Sequence, residues 1–136
     1  MSYGAAAALQ AAVFQRLAAD APLAGVVGGA IYDAVPPGEL PETYVSLGPE
    51  EARDRSDATG GGALHFFTIS VVTTAAGFAN AKAAAAAVSD ALVDAPLVLS
   101  RGVLVGLGFE KARARRVQEG DTRRIDLTFR ARIDDN

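Results

Sequence analysis

The sequence predicts an α+β fold in which two helices pack on one face of an antiparallel sheet. Three observations predict it. Leu9, Val13 and Leu17 recur at every fourth position, and Ala81, Ala85, Val88 and Leu92 repeat that helical spacing later in the chain. Residues 122–133 alternate: Ile125, Leu127, Phe129, Ala131 and Ile133 face one way, while Arg124, Asp126, Thr128, Arg130 and Arg132 face the other. Between the two helical stripes, Leu64–Thr74 is built of β-branched and aromatic residues, which suit a pleated surface.

The first helix runs from about Gly4 to Ala19, with Ala5, Ala6 and Ala12 beside the leucine–valine stripe. Ala21-Pro22 is expected to end it, because the residue before proline is pushed out of the helical region. Leu23, Val26 and Val27 pack before Gly28-Gly29 turns the chain into a short strand at Ile31-Tyr32. Pro36, Pro37, Gly38 and Pro41 then forbid regular structure. Thr43–Leu47 is a second strand. From Pro49 to Gly62 the chain is polar and glycine-rich, with little to bury, and reads as a long exposed loop or a flexible hairpin tip. Its composition predicts a loop that orders only against a partner, with Arg53, Asp54, Arg55 and Asp57 making the charged contacts.

In the strand Leu64–Thr74, Phe67, Ile69 and Val71 share one face, and Thr68 and Ser70 the other. Gly77 leads into the second helix, which runs to about Val93 with Phe78 opening its stripe. Its run Ala83–Ala87 favours helix and presents a slim surface to a sheet. Ala95-Pro96 closes it. Val103 to about Val117 is a strand with Val103, Val105, Leu107 and Phe109 expected inward. Gln118–Asp121 turns the chain into the alternating strand, completing a hairpin.

At 136 residues the chain fits one domain, 1–136, large enough to bury a core without metal or disulfides. It has no cysteine, which excludes a disulfide framework, a thiol nucleophile and a cysteine-ligated zinc site. Ala5–Ala12 is apolar but short and has no basic leader, so a soluble chain made in the cytoplasm, with no membrane partner, is expected. The formal net charge is -3, unevenly placed. Residues 1–100 carry four basic and ten acidic groups, and residues 101–136 carry nine and six. Such a basic C-terminal third can face nucleic acid or acidic neighbours in an assembly.

No catalytic constellation emerges. His65 is the one histidine, and neither a nucleophile nor a set of metal ligands accompanies it in any recognisable spacing. It is expected to be a structural or a surface histidine. Gly60-Gly61-Gly62 has no lysine and no helix after it, so it is not a phosphate loop. Gly25–Gly29 lacks the strand–glycine–helix setting of a dinucleotide site. No cofactor or metal is expected.

Lys111, Arg113, Arg115 and Arg116 gather at one end of a strand, with Arg123 and Arg124 across the turn. Lys111, Arg113 and Arg115 share a face by alternation. Two readings are open. The cluster is a solvated hairpin end balanced by Glu110, Glu119 and Asp121, or it is a subunit contact or a patch facing DNA. Sequence-specific DNA binding is disfavoured, because no helix carries base-reading residues.

The ordered parts resemble one family, the tail-completion or tail-terminator proteins of long-tailed phages and gene transfer agents. The resemblance rests on Leu9–Leu17, on Val27–Asp33 with Tyr44–Gly48, on Ala76-Gly77 before the alanine-rich helix, and on Phe109–Arg113, Thr122–Arg124 and Leu127–Ala131. It implies a structural virion protein without catalysis. Members of that family form a ring, usually hexameric, that caps the tail tube and meets the head-closure or stopper protein, with DNA passing through. The implied partners are further copies of the chain, the major tail tube protein, the stopper and non-specifically threaded DNA. The alternative is a small intracellular ligand-binding module or enzyme subunit with a ligand between helices and sheet.

Overall fold

The computed structural model describes residues 3–55, 61–117 and 121–135. Among these described residues, three helices and a five-stranded mixed sheet make up the α+β architecture. The helices are α1 (Ala6–Ala18), α2 (Ala21–Val27) and α3 (Ala79–Leu92). The strands are β1 (Ile31–Tyr32), β2 (Thr43–Asp54), β3 (Gly62–Thr73), β4 (Val103–Arg116) and β5 (Arg123–Asp134), in the order β1-β2-β3-β5-β4.

The expectation of two helices and a purely antiparallel sheet is corrected on both counts. Ala21-Pro22 does not only stop α1; it begins α2. The Asp20 carboxylate accepts the Leu23 N–H at 3.0 Å, and Pro22 sits in the first turn, where its missing N–H costs nothing. Gly28, at a φ of 62°, then ends α2. β1 pairs with β2 in parallel, with Ile31 opposite Val45. The segment 33–42 is long enough to carry the chain back to start a strand in the same direction. The other three pairings are antiparallel.

The predicted exposed loop at 49–62 is corrected at its two ends, while residues 56–60 within it lie outside the described residues. Residues 49–54 belong to β2, and Gly62 already belongs to β3. A bulge between Leu47 and Glu50 absorbs Gly48 and Pro49, after which Glu50 pairs opposite Phe67 and Arg53 opposite Leu64. β1 covers only Val45 and Ser46, so β2 is an edge strand beyond them, and a proline is tolerated there.

The inward set predicted for β4 holds at Leu107 and fails before it. Val103 and Val105 are 66% and 60% exposed, and Phe109 is 49% exposed. Bulges between Leu104 and Gly106 and between Phe109 and Lys111 reset the alternation twice. Leu104, expected outward, packs against the core in place of Val103 and Val105.

One hydrophobic cluster joins Leu9, Val13 and Leu17 of α1, Leu23 and Val27 of α2, and the alanine face of α3 with Leu92. The sheet contributes Val45, Phe67, Ile69 and Val71, and the five predicted inward residues of β5. On α3, Ala81, Ala84, Ala85, Ala87, Val88 and Ala91 are buried, and the helix contacts β3, β5 and β4.

Candidate assembly surfaces

The basic end of the β4–β5 hairpin divides between the two faces of the sheet. Lys111 stands opposite Thr128, Arg113 opposite Asp126, and Arg115 opposite Arg124. These belong to the face away from Ile125 and Leu127. Like charges directly opposite repel, and Asp126 relieves the Arg115–Arg124 pair. Its Oδ1 accepts from Arg124 Nε at 2.8 Å and from Ser70 Oγ at 2.6 Å, while Arg115 approaches Oδ2 at 3.8 Å. Arg124 also donates to Ser70 Oγ at 3.1 Å. Burial alone would raise the Asp126 carboxyl, but the hydrogen bonds from Ser70 and Arg124 and the charges of Arg124 and Arg115 outweigh it and hold the group below its ordinary value.

Arg123 turns the other way, although it neighbours Arg124. Its guanidinium donates to the Ala75 carbonyl at 3.2 Å and lies 5.6 Å from the Phe78 ring centre, bracing the entry to α3. Lys111, Arg113 and Arg116 differ from both. They are exposed, and no ion pair engages them among the described residues.

β4 is an edge strand, and only part of that edge is covered. The Asp94 N–H donates to the Leu107 carbonyl at 2.9 Å, so the turn after α3 closes the edge there. From Phe109 to Arg116, no backbone group on that side meets a partner among the described residues. Phe109, at the start of this stretch, is half-exposed.

The second predicted set lies at the far end of β2. Arg53 pairs with Glu51 at 2.8 Å and covers the Phe66 ring at 5.3 Å. Asp54 ends the strand, and the Arg55 N–H donates to the Gly62 carbonyl at 2.7 Å. Asp57 lies outside the described residues. Glu51, Arg53, Phe66, Thr68, Lys111 and Thr128 line an open trough across the polar face of the sheet. The trough brings one residue from each predicted set, Arg53 and Lys111, to a single surface.

His65 is fully buried on β3, and its Nδ1 stands 3.6 Å from Glu50 Oε2. Neither ring nitrogen makes a hydrogen bond among the described residues. The Tyr3 ring stacks on it at 6.1 Å, and a hydrogen bond to Glu50 raises the Tyr3 hydroxyl above its ordinary value. This group ties residue 3 to the β2 bulge. Among the described residues no three His, Asp or Glu side chains gather to hold a metal, and no helix is long and apolar enough to cross a membrane.

Sequence reasoning missed the opposite edge of the sheet. Asp33, Glu39 and Glu42 are exposed on the segment between β1 and β2, and Gln10 holds Asp33 at 2.7 Å. The signal was present: residues 17–52 hold six acidic groups and no lysine or arginine.

The sequence model of a family described as "Tail completion protein gp17" matches residues 11–134. A chain in a solved structure described as "Virion of native gene transfer agent (GTA) particle" is 70% identical. The match covers 98% of this chain and 99% of that one, with a TM-score of 0.93. No curated protein matches the chain.

Proposed function

The chain belongs to the tail completion protein gp17 family and is part of a phage-like virion, and on that premise we propose that it forms a homo-oligomeric ring ending the tail tube. A structural role in the tail follows from the family. The finer reading is that the ring, a hexamer, joins the tube to the head-closure protein and lets DNA pass, with no substrate turned over. Its helices would back one face of the sheet, leaving the other to neighbours. The observation that carries the reading is the near full-length, 70% identical match to a chain of a gene transfer agent virion structure.

Within this reading the exposed cations Lys111, Arg113, Arg115 and Arg116 meet neighbouring subunits or line the channel. Arg123 and Arg124 support them from inside the subunit. Arg53, Asp54, Arg55 and Asp57 mark the end of the β2–β3 hairpin as a contact with tail or neck partners. Deleting the gene tests the function. The expected result is heads and tails that fail to join, or tails of uncontrolled length. Normal particles that still transfer DNA would refute the tail-terminating role.

A further inference from the structure

The two edges of the sheet carry opposite charge at the same height. Thr43, Thr73, Arg123 and Arg116 form one continuous row of opposed residues from β2 to β4. The basic end of β4 therefore lies level with the start of β2, directly after Glu39 and Glu42. Arg116 at one end of this row, and Arg113 and Lys111 farther along β4, are exposed without an ion pair among the described residues. At the other end Glu39 and Glu42 are exposed and likewise without an ion pair among the described residues.

The two surfaces also match in form. The β4 stretch Phe109–Arg116 has a backbone edge without a partner among the described residues. Residues 33–41 form no backbone hydrogen bond among the described residues, and the segment bends at 33–34 and 37–38, so its carbonyls and the N–H groups of its non-proline residues are unspent. Each surface carries an exposed large apolar side chain, Val35 at 44% and Phe109 at 49%.

We propose that the acidic segment Asp33–Glu42 of one copy seats along the open β4 edge, Phe109–Arg116, of the next copy. The contact is head-to-tail, since the two surfaces differ and stand on opposite edges of one sheet. Head-to-tail contacts generate closed rings when the rotation closes. An unpaired edge strand is a template for pairing with another chain, so this seat also removes the exposed edge. Opposite charges steer the approach and reject the wrong register. The contact rests on the ring reading above and names the surfaces that build it.

A charge swap tests it in the producing strain. The variants E39K/E42K and K111E/R116E remove no ion pair among the described residues, and R116E would set a carboxylate opposite Arg123. Each replaces the wild-type gene, and the yield of joined particles is counted. Each double variant is expected to lower the yield at least tenfold, and the fourfold variant to restore it to within about threefold of wild type, as expected for charge pairs across one interface. Thermal melting of each purified variant checks that the subunit folds. Equal yields from all strains would overturn the contact, as would a fourfold variant no better than either double.

Cysteine capture provides a second reading, because the chain has no cysteine of its own. Particles carrying E39C/R116C should give a ladder of linked subunits on oxidation, absent from either single variant. Dimers from a single variant would mean that a surface meets itself, which overturns the head-to-tail contact while leaving a tail role intact. Particles that form normally without the protein would remove the tail role and this contact together.

Discussion

The Phe67 and Phe129 rings stack 5.6 Å apart with 24° between their planes, from directly opposed positions on β3 and β5. Phe109 meets Phe129 edge-on at 6.0 Å from the other side. Phe129 is thus the middle ring of three and is fully buried. Phe129→Ala removes the ring and leaves a cavity that neighbours on three strands cannot close. It should cost about 3–5 kcal/mol, read by denaturant unfolding. A loss below about 1 kcal/mol would mean that the sheet relaxes around the gap.

Asp126 sets an acid dependence. Its carboxyl lies below the ordinary value in the folded chain, so the unfolded chain takes up the proton first as pH falls. Its contribution is therefore full above about pH 4, the unfolded carboxylate range, and disappears as pH falls through the lower folded value. The stability gap between wild type and Asp126→Asn should be widest near neutral pH and close on acidification. Urea unfolding of both proteins at several pH values measures it. A gap that widens on acidification would contradict the Ser70–Arg124 arrangement.

Asp20→Ala removes the side chain that receives the Leu23 N–H at the start of α2. The expected loss is about 0.5–2 kcal/mol, with Asp20→Asn far milder because asparagine caps as well. Thermal melting of the two variants separates a cap from a general effect of charge. Equal losses would point to the charge.

His65 buries two ring nitrogens without a hydrogen bond among the described residues. Burying such groups costs free energy that an apolar side chain avoids. His65→Leu should melt no lower than wild type at neutral pH. A loss above about 2 kcal/mol would show that the imidazole makes bonds the apolar chain cannot replace.

The parts of the fold legible in the sequence are those with an uninterrupted period. The β5 alternation and the stripes of α1 and α3 repeat long enough to name their buried faces residue by residue. α2 has seven residues, too few to show a stripe, and Pro22 reads equally as a stop or as a first turn. The end of β2 was hidden because an edge strand needs little apolar alternation, and Pro49 in a bulge looks like a loop residue. Two bulges in β4 displaced the expected inward set. The basic residues were legible as a group on a hairpin. Their division between faces was not, since it depends on Asp126 and Ala75, partners contributed by the fold rather than by spacing.

The buried side of α3 is built mostly from single methyl groups. The helix consequently lies close to the strands and leaves almost no room for growth. A single transition in an alanine codon yields valine, and at Ala81 or Ala84, both fully buried, that change would wedge the helix from the sheet at a cost of roughly 1–3 kcal/mol. Exposed Ala83 and Ala86 carry no such penalty. Genetic drift along this helix should therefore be one-sided: its solvent face free to wander, its inner face held to the smallest chiral residue.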